Sequence, residues 1–133
     1  MLSDKGFVVL ALSILALISC ATTERSFEGS ERSRSEIALF TGMNPLDPGI
    51  GLRGWASQIQ SVDGRPVSGS GTKVEVLPGQ HELVVYCKRP GANPTNDKYT
   101  VTVEAGAEYV IGVKPGTNKC QFTNRLTKKE IGT

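Results

Sequence analysis

Three cysteines and one histidine are the residues of this 133-residue chain best suited to chemistry. Cys20 follows a twelve-residue apolar run, Phe7 to Ile18, whereas Cys87 and Cys120 lie in the second half of the chain. A cysteine thiolate is a nucleophile that can accept a lipid, bind a metal or form a disulfide. Two cysteines and the single His81 at these spacings match no common zinc pattern, so we expect no metal and no other cofactor.

The remaining residues form no constellation typical of an enzyme. Acidic residues are scattered, serines concentrate in linker-like stretches, and no glycine loop carries the Lys-Ser/Thr pair of a phosphate-binding site. His81 follows Pro78-Gly79 at the start of a candidate strand, where its ring can pack over the turn and form local hydrogen bonds. The sequence therefore predicts a protein without catalytic residues.

The residues before Cys20 have the organisation of a signal peptide. The polar segment Met1–Gly6 precedes an apolar run that is too short to cross a bilayer, which takes about 20 residues. Leu17-Ile18-Ser19-Cys20 resembles the lipobox of bacterial lipoproteins. The resemblance implies cleavage before Cys20, a diacylglyceryl thioether on its sulfur and an acylated amino terminus. An uncleaved anchor and an ordinary signal peptide with a chance cysteine are the alternatives.

The same resemblance implies a location. In Gram-negative lipoproteins of this kind an aspartate after the lipidated cysteine favours the inner membrane, so Ala21 indicates the periplasmic face of the outer membrane. With Cys20 committed to lipid, an even pair of cysteines remains in an oxidising compartment. We therefore predict a disulfide between Cys87 and Cys120, with two buried free thiols as the alternative.

The chain divides into four predicted segments. Removal of a signal peptide over residues 1–19 leaves 114 residues, enough for one domain. Residues 20–35 are polar and serine-rich, which predicts a lipidated flexible tether. A domain over 36–126 follows, and 127–133 form a basic tail that could contact anionic headgroups or be a solvated terminus. A net charge of +2 is too small to indicate nucleic acid binding.

From residue 36 onward the signals are those of strands and turns. Seven stretches have strand composition or alternation: 37–40, 55–62, 72–77, 81–87, 99–103, 107–113 and 120–124. Asp63-Gly64 predicts a type I′ hairpin turn, and Pro66 places the brief return strand on a sheet edge. The pattern favours a small antiparallel β-sandwich of about six to seven strands.

Turn and strand residues also carry a family resemblance. The stretch 59–64 ends in Asp-Gly, and 74–85 combines a strand, Pro-Gly, a polar residue, a histidine and an apolar strand. Together they resemble a PEGA-type repeat, and 105–111 is similar to the closing hairpin of small lipoproteins that carry this module. The resemblance covers about residues 57–125 and implies a transthyretin-like or immunoglobulin-like sandwich without catalytic residues.

These expectations describe a lipid-anchored, non-catalytic interaction or structural module of the cell envelope, with the membrane and an envelope protein as partners. The loops 42–56 and 88–98 and an edge strand near Arg65, where a partner strand could add, supply candidate contacts. The candidates are Arg53, Trp55, Arg65, Arg89 and Tyr99. The alternative is a glycan- or small-ligand-binding domain with exposed aromatic rings, although burial in the core is the more usual role of a single tryptophan.

Overall fold

The computed structural model describes residues 23–45, 49 and 53–132, so the predicted signal peptide and Cys20 lie outside the described residues. The described chain forms strands and one short 3-10 helix, Arg34–Glu36. The strands are β1 Glu24–Arg25, β2 Ala38–Thr41, β3 Ala56–Val62, β4 Arg65–Pro66, β5 Lys73–Val76, β6 Gly79–Lys88, β7 Thr95–Val103, β8 Glu108–Val113, β9 Cys120–Asn124 and β10 Glu130–Ile131. The prediction of an all-β fold is confirmed.

The strands form two sheets. The first sheet has the order β1-β5-β2-β8-β9-β10, and the second has the order β4-β3-β6-β7. All neighbours in the second sheet are antiparallel, whereas β1 with β5 and β2 with β8 are parallel pairs in the first. The expectation of purely antiparallel sheets is therefore wrong for the first sheet. Parallel neighbours need a crossover connection. Here the chain between β2 and β8 forms all four strands of the second sheet, together with β5 of the first.

One apolar core fills the space between the sheets. Alternation along each strand turns one side of both sheets inward, and their buried side chains belong to a single cluster. Phe40 lies 5.5 Å from Tyr109 and 5.9 Å from Phe122, measured between ring centroids. Tyr99 of the second sheet meets Phe122 of the first edge-on at 5.1 Å. The aromatic rings thus pack across the two sheets.

A buried hydroxyl and a disulfide also join the two sheets directly. Ser57 of β3 is fully buried; its hydroxyl donates to the Ile111 carbonyl at 2.7 Å and accepts from the Met43 N–H at 2.8 Å. Cys87 of β6 is bonded to Cys120 of β9, with their Cα atoms 5.7 Å apart. This separation lies in the usual range for a disulfide. Both links lie where β3 begins and β6 and β8 end.

The hairpin signals hold in the structure. Asp63 and Gly64 have φ values of 51° and 81°, which is the positive pair that a type I′ turn requires. The return strand β4 is two residues long and lies at the edge of the second sheet, as the proline in it predicts. Strand β6 lies between β3 and β7, in agreement with its apolar residues on both faces.

The expected closing hairpin near Ala105-Gly106 is not a hairpin. Strand β7 belongs to the second sheet and β8 to the first, so this turn carries the chain between sheets. Gly106 has a φ of 80°, and its N–H donates to the Ile37 carbonyl. A short turn between two alternating strands looks the same in sequence whether the strands pair with each other or with different neighbours. The predicted loop 88–98 is also shorter, because β6 ends at Lys88 and β7 begins at Thr95.

Short strands lie in both segments that were predicted to flank the domain. Glu24 and Arg25, in the expected tether, pair with β5, and the Ser26 N–H donates to the Glu75 carbonyl at 3.0 Å. Strand β10, in the expected tail, pairs with β9. These short strands are joined through backbone groups, which any residue type can supply. Polar composition therefore concealed them.

We predict that the disulfide stabilises the fold mainly by reducing the conformational entropy of the unfolded chain. It closes a loop whose ends are 33 residues apart. A Cys87→Ala/Cys120→Ala variant should lose about 3–4 kcal/mol of unfolding free energy, measured by urea unfolding. Wild-type protein with and without reductant provides the matched comparison. Equal stability in both states, or alkylation of both thiols in the folded wild type, would contradict the prediction.

Candidate functional site

The candidate contact residues are divided between the two ends of the domain. We call the end formed by residues 42–45, 53–55, 89–94 and 114–119 the disulfide end, because the Cys87–Cys120 bond lies beside it. The opposite end contains the turns at Asp63-Gly64 and Ala105-Gly106. Cys20 lies outside the described residues.

Arg53, Trp55 and Arg89 lie at the disulfide end. Arg53 is exposed and Trp55 is half-buried. Gly54 lies between them with a φ of 96°, and a Cβ there would lie 3.1 Å from the Pro90 Cα, so the two loops touch. The Arg89 Nε donates to Asn118 Oδ1 at 2.8 Å. The structure therefore brings three of the five predicted contacts to one end.

Four lysines outside the set of candidate contacts lie at the same end. Lys73 begins β5, Lys88 ends β6, Lys114 follows β8 and Lys119 precedes β9. Pairing of Thr41 with Lys73, Ala56 with Lys88 and Val113 with Cys120 places these positions together. Each lysine is the terminal residue of a strand or lies next to one. Only the strand directions reveal that all four lie at the disulfide end.

Tyr99 is a core residue, so its prediction as a partner contact is wrong. Its side chain is 6% exposed, and its hydroxyl accepts a hydrogen bond from the Cys120 N–H at 2.8 Å. Burial raises the pKa of the phenol above its usual value, although the Cys120 hydrogen bond opposes the shift. Alternation on β7 turns this ring inward, beside the disulfide. It therefore positions β9 and offers no surface to a partner.

Arg65 lies at the opposite end and is already engaged. Its guanidinium forms an ion pair with Glu28, in the segment that follows β1. The pair is largely exposed, and such pairs contribute about 0–1 kcal/mol to stability. Arg65 thus helps to hold the N-terminal segment over β4 and is not assembled with Arg53 or Arg89.

A groove of about 400 Å³ lies beside this pair, and the Asp63 and His81 side chains line it. Both ring nitrogens of His81 form hydrogen bonds of 2.6 Å, Nδ1 with Asp63 Oδ2 and Nε2 with the Leu77 carbonyl oxygen. The Glu82 N–H donates to Asp63 Oδ1 at 2.8 Å. The prediction that His81 bonds locally over the Pro-Gly turn is confirmed.

We call the hydrogen bonds that join Asp63, His81 and Leu77 the clip, because they connect residues of two neighbouring turns. Both ring nitrogens of His81 are engaged in these local hydrogen bonds. Ser26 also lines the groove, but its hydroxyl donates to the Glu75 carbonyl at 2.8 Å. Among the described residues that line the groove, no nucleophile and base are in hydrogen-bond contact.

Neither a metal-binding cluster nor a membrane-spanning helix is found in the part of the chain that the structure describes. No group of three or more His, Cys, Asp or Glu side chains converges there to hold a metal ion. No helix in that part is long and apolar enough to cross a membrane.

The clip should make stability depend on pH. Partial burial raises the pKa of Asp63, but the Glu82 and His81 hydrogen bonds and the His81 charge outweigh it and hold the pKa below its usual value. A lowered carboxyl pKa stabilises the folded state above the unfolded pKa of about 3.9 and loses this effect as pH falls through the folded value. Asp63→Asn should therefore lower the unfolding free energy at neutral pH by no more than about 1 kcal/mol, because the side chain is half exposed.

Urea unfolding of wild type and Asp63→Asn from pH 7 to pH 3 measures this difference. Asparagine also tolerates positive φ, which makes it a matched replacement. The difference should shrink below about pH 4. It should also be smaller in a His81→Gln background. A difference that is the same at every pH would rule out the ionised clip.

Comparisons with known proteins give no relative from which function could be inferred. No family model, no curated protein and no solved structure matches the chain. The resemblances to the lipobox and to PEGA-type repeats rest on residues of this sequence, and they stay predictions. Function must therefore be proposed from the sequence pattern and the geometry.

Proposed function

We propose that the protein is a lipid-anchored, non-catalytic interaction module on the periplasmic face of a bacterial outer membrane. The observation that carries the proposal is the assignment of the three cysteines. Cys87 and Cys120 are bonded to each other, which leaves Cys20 as the one cysteine with a thiol available for lipid. That cysteine is the one in the Leu17-Ile18-Ser19-Cys20 pattern.

The domain type that accompanies this proposal is a transthyretin-like sandwich. In an immunoglobulin domain the first two strands belong to the same sheet. Here β2 and β3, the first two strands of four or more residues, belong to different sheets. The parallel β2–β8 pair also departs from an all-antiparallel immunoglobulin arrangement. Strand order thus favours the transthyretin-like alternative.

An envelope protein is the proposed partner, and sheet edges are the surfaces through which it could add a strand. The predicted edge at Arg65 is a weak candidate, because β4 has two residues and Pro66 lacks a backbone donor. Strand β7 forms the other edge of the second sheet and has nine residues. Its length gives an incoming strand more backbone partners.

The glycan-binding alternative has less support. It depends on exposed aromatic rings, and Tyr99 and Tyr109 are buried in the core. Trp55 and Tyr86 are half-buried and lie on different elements, Trp55 before β3 and Tyr86 within β6. The described residues therefore offer little aromatic surface for stacking on a sugar.

Lipidation is the part of the proposal that can be tested most simply. Cys20→Ser should abolish incorporation of labelled fatty acid in a Gram-negative host, because the acceptor sulfur is lost. The Cys87→Ala/Cys120→Ala variant is the matched control and should remain labelled. Labelling would be read from the purified protein by gel and mass spectrometry. Fatty acid retained on Cys20→Ser would refute the anchor.

A further inference from the structure

The chain joins the sheet very soon after the proposed lipid. Glu24 pairs with Val74, and the Ser26 N–H and hydroxyl both donate to the Glu75 carbonyl. The Glu24 carboxylate lies among the residues that precede β5 and accepts from the Gly71 N–H at 3.3 Å. Only residues 21–23 separate Cys20 from β1, and four residue steps span at most about 14 Å. A tether of 15 residues is therefore not available to hold the domain away from a bilayer.

The direction of β1 determines which end of the domain lies nearest to Cys20. Strand β1 is parallel to β5, so Glu24 lies beside the start of β5, where Lys73 is found. The start of β5 is also the end of β2, because Thr41 pairs with Lys73. This is the disulfide end. The opposite end lies a full strand length further from the point where the chain enters.

Charge is distributed unequally between the two ends. Two carboxylates, Glu24 and Asp97, and six cations lie at or beside the disulfide end. The cations are Arg53, Lys73, Lys88, Arg89, Lys114 and Lys119. Within the described residues only Lys114 of these six has a carboxylate partner, Glu130 at 3.8 Å. The opposite end intersperses its cations with carboxylates, and Arg65 and Arg125 are ion-paired to Glu28 and Glu108.

We propose that the disulfide end rests on the anionic lipid headgroups of the membrane that carries the lipid on Cys20. The inference depends on the proposed lipidation, which places that membrane within reach. Each Lys or Arg close to an anionic surface strengthens association about fivefold. The effect acts over a Debye length of about 8 Å at physiological salt, so it requires the close approach that the short link permits.

This orientation has a consequence for partner binding. With the disulfide end against the lipid, the opposite end points away from the membrane into the periplasm. The Asp63–His81 groove and the exposed Leu126 then face outward. Lipid and protein partners would thus use different surfaces.

Lysine labelling of the full, lipidated protein tests the proposal. The protein is placed in phosphatidylethanolamine/phosphatidylglycerol vesicles or in detergent, and each lysine's rate of acetylation is read by mass spectrometry. Lys73, Lys88, Lys114 and Lys119 should react more slowly in the vesicles than in detergent, and high salt should reduce this protection. Lys98, Lys128 and Lys129 are internal controls and should react equally in both. Equal labelling of all lysines, or protection of Lys128 and Lys129, would overturn the orientation.

A pair of charge-reversal variants sharpens the test. Lys88→Glu/Lys119→Glu should remove the protection of Lys73 and Lys114, whereas Lys128→Glu/Lys129→Glu should leave it unchanged. Flotation of the vesicles distinguishes failure of the proposed lipid anchor from failure of the proposed orientation. Protein that fails to float disproves the anchor, and protein that floats with uniform labelling disproves only the orientation. Protection in native envelope membranes but not in pure lipid would assign the cations to a protein partner and overturn the lipid contact.

Discussion

Side chains from both sheets pack into one apolar core, and the bond between Cys87 and Cys120 joins the sheets at one end of that core. The positions of the nearby loops depend on this link. Tyr99 accepts a hydrogen bond from the Cys120 N–H, and Asn118 accepts one from Arg89 and another from Thr95. The loops that carry the cations are thereby attached to the most buried part of the molecule. A charged surface built on such a support keeps its shape, which a basic tail alone would not.

The edge of the first sheet supplies the second constraint. Strand β1 is two residues long, yet its pairing with β5 converts an expected tether into a short, directed link. Because the segment between Cys20 and β1 is short, the proposed lipid on Cys20 lies near the disulfide end. The same pairing carries the chain over the Asp63–His81 groove through Ser26 and Glu28. One short strand thus relates the proposed membrane contact to both ends of the domain.

Local chemistry explains what could be predicted from the sequence. The alternation of Leu83, Val85 and Cys87, the Asp63-Gly64 turn and the edge proline each act over a few residues, and each prediction held. Sheet membership was not predictable, since two strands joined by a short turn can enter different sheets, as β7 and β8 do. The irregularity between Ile59 and Ser61 shifts the register of β3 and breaks its alternation, which concealed the buried Ser57. The same limit applies to the candidate site. Arg53, Trp55 and Arg89 are predicted from loop composition, whereas the four lysines come together only through the strand pairing. The alternation along β7 that buries Tyr99 is visible in the sequence.

The pairing of β1 with β5 is the feature from which the position of the domain follows, and amide hydrogen exchange tests it most directly. Exchange would be followed by NMR on the folded protein under native conditions. We expect the Ser26 amide, bonded to the Glu75 carbonyl at 3.0 Å, to exchange far more slowly than the amides of Gly29 and Ser30, which donate no backbone hydrogen bond to another described residue. Exchange of Ser26 at the rate of an unstructured peptide would show that β1 is free. The domain would then stand on a flexible tether, and the lipid-facing end would lose its structural basis.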